Sequence, residues 1–255
     1  MPQIDMQGAL GDWPHDPEQV SVRKIVAVDG SVKVQMRVEL GILQMEVQGR
    51  PDGVRPHERD TELVYQQERL AVHEGKNGTQ LGFVLTPQEC LALRVEASQF
   101  YRRYVALFVL EEYANVYRDT AHTLAIFDLC KVHGFHNDDR SCMEPYRPYV
   151  YMMDSRAHAY HALKENEPAS ALAHVNRGVM RIRGFLEERG QADQIESCQE
   201  LKVLQQLGTE IIKQLPQDSM VVKHRLLQSA IAEERFEDAA RLRDEIANNK
   251  DQKPE

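Results

Sequence analysis

The side chains best equipped for chemistry lie close together in "CKVHGFHNDDRSC", residues 130–142. Cys130, His133, His136 and Cys142 are soft or borderline ligands, and Zn accepts such a set. Their spacing, C-x2-H-x2-H-x5-C, matches no common zinc pattern. The competing reading, adopted here, is an inter-helix loop in which these residues are incidental; Asp138 and Asp139 are solvated in either case. Elsewhere there is no GxxxxGK[ST] phosphate loop, no GxGxxG and no HExxH. "GKNGT" has a Lys after a Gly but not the loop that cradles phosphates. Nothing points to a nucleophile and its base, although such sets assemble from distant positions. The expectation is a protein without metal, cofactor or catalytic residues. An enzyme or metal protein of unrecognised type is the alternative.

A loop of this kind hangs between helices, and from Thr86 onward the chain is patterned as helix. "TPQE" is a start signal: Thr86 caps, Pro87 suits the first helical position and Glu89 reaches back to the cap. Apolar residues recur at Leu93, Ala97, Tyr101, Tyr104 and Phe108, a stripe at steps of three and four. A second helix is expected near 113–132, with Val116, Thr120, Leu124 and Phe127 on its stripe. A third covers about 148–164, a fourth 168–189 ahead of Gly190, and a fifth 197–214, stopped by Pro216. Adjacent amphipathic helices joined by short turns predict stacked helical hairpins. The third and fourth resemble a tetratricopeptide repeat. Ala159, Ala162, Ala171, Val175 and Gly178 stand where that repeat takes small residues or one larger knob. Ser155 stands where it prefers a large aromatic, and the closing proline is missing. One hairpin in a generic helical bundle is the alternative.

Ahead of the helices the period is two. Val32, Val34, Met36, Val38 and Leu40 alternate with Lys33, Gln35, Arg37 and Glu39, which predicts a strand with one buried and one wet face. Asp29-Gly30 tolerates the positive φ of a tight hairpin turn. After Gly41 the apolar phase flips to Leu43, Met45 and Val47, reading as a bulge or a turn. A small antiparallel sheet of two or three strands follows. A glycine- and proline-rich loop, a short helix over 60–72 and a short strand over 81–85 complete this region. Residues 1–20 read as a mobile arm in which Trp13 docks on the protein or, alternatively, on a partner.

Hydrophobic residues are 42% and charged residues 28% of the 255, which fits one large folded domain or two smaller ones. The formal net charge of -9 argues against non-specific nucleic-acid binding, which relies on clustered Lys and Arg. Arg102 with Arg103, and Arg177 with Arg181 and Arg183, read as solvated helix faces, with a local basic patch as the alternative. No apolar run of about 18 residues exists, so no membrane span is expected. The N-terminus lacks the basic start and apolar run of a secretion signal. Cys90, Cys130, Cys142 and Cys198 are scattered without a CxxC pair, as expected of reduced thiols in a cytoplasmic protein.

The last part, "DSMVVKHRLLQSAIAEERFEDAARLRDEIANN", is dense in charge yet keeps an apolar skeleton. Leu227, Ala230 and Ile231 share one helical face, which Val222 and Leu226 extend backward. After Glu233-Glu234-Arg235, the residues Phe236, Ala239, Leu242 and Ile246 line a second face. Glu237 and Asp238 fall in a first turn, where the helix dipole favours anions, and Glu237 and Arg241 are spaced to pair. Two short antiparallel helices are implied. Such a unit is too small to bury its own apolar surface well, so it completes the helical body or packs on another chain.

"AIAEERFEDAARLRDEI" resembles the UVR motif shared by excinuclease subunits B and C of bacterial excision repair. Phe236, Glu237, Ala239, Ala240, Leu242, Arg243 and Asp244 match the family pattern in register. Lys223 departs from it, standing where the family often has an apolar residue. The resemblance implies a protein–protein module that pairs with another copy of itself, on the same or a different protein. Motif-bearing proteins also include a chaperone ATPase and a kinase-activating adaptor. The residues it implicates in partner binding are Leu227, Ala230, Ile231, Phe236, Ala239, Ala240, Leu242 and Arg243. The preceding residues resemble neither excinuclease subunit. The expected fold is mainly α, with stacked helical hairpins (a tetratricopeptide-like body), a small N-terminal antiparallel β element and a C-terminal helical hairpin. The expected divisions are an arm (1–20), a β-containing region (21–85), a helical body (86–216), a UVR-type hairpin (217–248) and a disordered tail (249–255). The expected role is non-enzymatic: recruitment of a UVR-bearing protein or formation of a homodimer, without membrane or direct nucleic-acid binding. An accessory factor of nucleotide excision repair, acting near DNA with the excinuclease, is the alternative.

Overall fold

The structure is a computed structural model. It describes residues 6–215, 222, 223, 226, 227, 230, 231 and 235–250, with only the backbone for 247–250. In chain order the named elements are α1 (Gln7–Leu10), β1 (Val22–Val26), β2 (Val32–Val38), β3 (Gly41–Glu46), α2 (Glu62–Asn77), α3 (Pro87–Val109), α4 (Tyr113–His133), α5 (Asn137–Ser141), α6 (Arg147–Lys164), α7 (Pro168–Glu188), α8 (Gln199–Gln214) and α9 (Phe236–Lys250). The fold is mainly α, with a small N-terminal antiparallel sheet and helices at the C-terminal end.

The sheet has the order β1-β2-β3. Gly30, at φ +80°, turns β1 into β2, and the phase change at Gly41 is a second turn, from β2 into β3. Val34 pairs with Met45 in register, and both are buried in the main apolar cluster. The wet face is only partly wet. Gln35 is buried because it accepts from Arg23 Nε at 2.8 Å and donates to Gln44 Oε1 at 2.9 Å, so a polar ladder crosses all three strands. The described part of the N-terminal arm is engaged with this sheet: Arg23 lies 4.2 Å over the Trp13 ring, and the Trp13 carbonyl accepts from Arg37 Nε at 2.8 Å. Residues 1–5 of the arm lie outside the described residues.

No strand forms over 81–85. Leu85 makes a single parallel bridge to Gly134, donating to the His133 carbonyl at 2.8 Å and accepting from Phe135 at 3.0 Å. α3 begins two residues later, before a ladder can extend. Its start carries the expected capping box: Glu89 N–H donates to Thr86 Oγ1 at 3.3 Å, and Thr86 N–H to Glu89 Oε2 at 2.7 Å.

Helices α3, α4, α6, α7 and α8 pack in succession, each chiefly on the next. Three of their four reversals share one device. Glu111 (φ 56°), Asn166 (φ 60°) and Gly190 (φ 68°) adopt left-handed backbone just after α3, α6 and α7. The following N–H groups, of Glu112, Glu167 and Gln191, then bond the carbonyls of Leu107, Ala162 and Leu186, five residues back, at 2.8–2.9 Å. This is the Schellman closure, which satisfies orphan carbonyls at a helix end. The small residues of α6 and α7 set close approach. A Cβ on Gly178 would stand 2.2 Å from Ser155 Oγ and 2.9 Å from Leu204 Cδ1. Ser155 is small for the same reason.

Arg103 is not on a solvated face. It is 1% exposed. It holds Asp119 with two parallel bonds of 2.6 and 2.8 Å and donates to the carbonyls of Glu46 and Gly49 at 3.0 and 2.8 Å. One guanidinium thereby ties α3, α4 and the end of the sheet together. The sequence signal was Asp119, an acidic residue inside the apolar stripe of α4, because a buried carboxylate requires a partner.

Candidate partner-binding surface

The ligand-like cluster of residues 130–142 is not brought together. Cys130 is buried on α4 as a free thiol hydrogen-bonded to the free thiol of Cys90 on α3. That bond, reinforced by burial, holds the Cys130 thiol far above its ordinary range and disfavours the thiolate that would ligate or attack. His133 packs edge-on against Phe83, with Nδ1 3.3 Å from the Phe83 carbonyl. Cys142 Sγ accepts from Arg94 at 3.3 Å. His136 lies exposed at the start of α5. Asp139, expected in solvent, is buried on α5. Among the described residues, no group of three or more His, Cys, Asp and Glu is placed to hold a metal ion. Among them, too, no helix is long and apolar enough to cross a membrane.

The C-terminal segment is built from two runs that face each other. Val222, Lys223, Leu226, Leu227, Ala230 and Ile231 are helical. The Arg235 N–H donates to the Ala230 carbonyl at 2.7 Å, the same five-residue closure that ends α3, α6 and α7. α9 follows at once. Lys223 Nζ lies 3.0 Å from Glu245 Oε2, so the start of the first run lies beside the end of α9 and the two are antiparallel. Lys223, the departure from the family pattern, thus supplies an ion pair where an apolar contact is usual. Asp238, in the first turn of α9, takes both Arg235 at 2.8 Å and Arg241 at 3.1 Å. Arg241 therefore pairs with Asp238 rather than with Glu237. The lead-in at 216–221 and the residues after 250 lie outside the described residues; α9 itself continues two residues past 248.

The eight candidate residues divide by exposure. Ala230 and Ala239 are buried, at 0% and 8% exposed, together with Val222 and Ile246. Val222 belongs to the main cluster that also holds Leu215, so this inner face meets the body. Leu227 and Leu242 are half-buried. Ile231 and Phe236 are 54% and 68% exposed, joined by Leu226 at 43%. Ala240 is exposed, and so is Arg243, which bonds only its neighbour Asp244 at 2.9 Å among the described residues. Phe236 thus stands mostly in solvent, whereas Ala230 and Ala239 are buried. Alanine at 230 and 239 brings the two runs close, while larger apolar side chains turn outward on either side of the turn.

This architecture defines a helical body with a terminal two-helix unit that keeps apolar side chains in solvent. Residues 225–252 match the family model for the UvrB/uvrC motif. The match is confined to the terminal unit. No match was found among curated proteins or among solved structures.

Proposed function

We propose that this chain is a non-enzymatic interaction protein whose terminal hairpin engages a second motif-bearing protein or a second copy of itself. The observation that carries this reading is the division of the hairpin's apolar residues. Small ones are buried, and Leu226, Ile231 and Phe236 remain exposed, the last two on either side of the turn. Exposed apolar residues clustered in one place are a common mark of association sites, and large aromatic anchors dominate their energetics. The test is light-scattering mass on the full chain, alone and mixed with a purified protein that carries the same motif. Formation of a dimer or a mixed complex is expected. Monomers under both conditions would refute the proposal.

In the second reading the chain is an accessory of excision repair acting with the excinuclease, favoured by the identity of the matched motif. With a net charge of -9, recruitment through protein rather than DNA contact fits it better. Duplex binding that weakens steeply with salt would support direct DNA contact instead. The non-enzymatic proposal carries its own test: turnover of ATP or GTP by purified protein should not rise above a buffer control. A cytoplasmic setting fits the reduced thiols this reading assumes.

A further inference from the structure

A cavity of about 720 Å³ opens between α3, α4, α6 and the first turn of α8. It is far from the hairpin in sequence, and nothing in the proposed interaction role uses it. Three tyrosines shape one end. Tyr101 meets Tyr104 at 5.5 Å and 89°, and Tyr149 at 5.9 Å and 60°, both edge-to-face. Tyr104 is 1% exposed and lines the cavity, and its hydroxyl has no hydrogen-bond partner among the described residues. The oxygen is not sealed off, since the buried side-chain atom left without a partner among the described residues is Glu144 Oε2, so a ligand in the cavity can reach it. Burial pushes the Tyr149 phenol up to about 12, with Tyr101 adding to the rise, so it stays neutral. Glu200 lines the same cavity from α8 and lies near enough to Tyr149 to add to that push. The opposite rim carries Arg94, but its charge is engaged: it donates to Cys142 and stands 3.8 Å from Asp139.

We propose that this cavity binds a small organic cation, an alkylammonium with an apolar tail. Ring faces of tyrosine attract cations, and Glu200, whose Oε2 accepts from the Cys198 thiol at 3.3 Å, supplies the compensating charge. The Tyr104 hydroxyl offers an acceptor for an ammonium N–H. Ala97, Phe127 and Val150, all buried, form an apolar floor for the tail.

The test uses the full chain and two probes of one shape, isoamylammonium and the neutral isoamyl alcohol, followed by ligand-observed NMR titration. Isoamylammonium should bind saturably, and the alcohol about tenfold more weakly, the scale of a partly desolvated cation–aromatic contact. Glu200→Gln, at a half-exposed position, should weaken the ammonium several-fold and leave the alcohol unchanged, whereas Tyr104→Phe should weaken both probes. Equal binding of the two probes would show a merely apolar cavity and overturn the proposal. So would tighter binding of the anion isocaproate through Arg94, or no saturable binding of the ammonium to the folded chain. Since Glu200→Gln alone reports the charge effect, the test survives if Tyr104→Phe fails to fold.

Discussion

In the body, Ile182 and Leu204 are at 0% exposure, enclosed between helices, whereas in the hairpin Ile231 and Phe236 stand at 54% and 68%. Both regions reverse direction with the same bond, from an N–H to the carbonyl five residues back. Both put small residues where helices approach: Gly178 against Ser155 in the body, Ala230 and Ala239 in the hairpin. The difference is the number of neighbours. α7 has α6 on one side and α8 on the other, so its apolar residues are covered twice. Each run of the hairpin has the other run, and Val222 reaches the body cluster, but the residues flanking the turn are left uncovered. The same local rules give a closed core where layers are stacked on both sides, and an open apolar face where the stack ends.

Removing Arg103 should show how firmly the body depends on its internal pairing. Arg103→Met leaves the buried Asp119 with Arg118 on Oδ1 but nothing on Oδ2, and strips the carbonyls of Glu46 and Gly49 of their donor. Breaking a buried pair from one side typically costs about 3–5 kcal/mol. Urea unfolding of this variant should show a loss on that scale. A change under about 1 kcal/mol would mean that the sheet and helices are held by apolar packing alone.

Gly178→Ala tests the close approach inside the body. The added carbon would fall 2.2 Å from Ser155 Oγ, and overpacking of this kind costs about 1–3 kcal/mol. The companion change Ala240→Ser, on the exposed side of α9, should stay within about 0.5 kcal/mol. Thermal melting of the two variants side by side would sharpen the contrast, and equal effects would erase it.

A smaller effect should appear with pH. His158 stacks between Tyr117 and His174 at centroid distances of 4.2 and 4.8 Å. Burial pushes His158 below its ordinary value; Asp154 opposes this, and His174, Arg177 and His161 add to it. Burial and then Arg177 lower His174 as well. With folded values depressed, the unfolded chain binds more protons as pH falls below about 6.5, so stability declines in that direction. The melting temperature should fall between pH 7.5 and 5.5. His174→Asn should make that slope shallower; an unchanged slope would exclude the stack as its source.

Much of the helical order was legible because capping and period act locally: Thr86-Pro87-Gln88-Glu89 names its own helix start, and the stripe through Leu93 and Ala97 names a face. The motif in the last helices was legible for the same reason, since Phe236 to Asp244 is one unbroken pattern. What escaped were contacts between distant segments. Arg103 reads as a surface residue until Asp119 and the carbonyls of Glu46 and Gly49 are brought to it. Leu81–Leu85 reads as a strand until it finds only Gly134 to pair with. The four His and Cys of 130–142 read as a possible set until helix geometry sends each a different way. Within the candidate surface, the sequence grouped Phe236 with Ala239 on one face, and only the antiparallel run beside α9 reveals that one points out and the other in.

In the proposed role the exposed ring of Phe236 belongs to an association surface rather than to the hairpin's own closure. Phe236→Ala separates the two, because closure depends on Ala230, Ala239 and Ile246. Light-scattering mass should be measured across a concentration series for the full chain and the variant, with and without the motif-bearing protein, and melting temperatures recorded alongside. An aromatic anchor at an interface contributes about 2 kcal/mol or more, which corresponds to roughly thirtyfold in affinity. Phe236→Ala should therefore weaken association by about that factor or more while its melting temperature stays close to that of the unaltered chain. Association of the variant indistinguishable from that of the unaltered chain, with both proteins folded, would contradict the account.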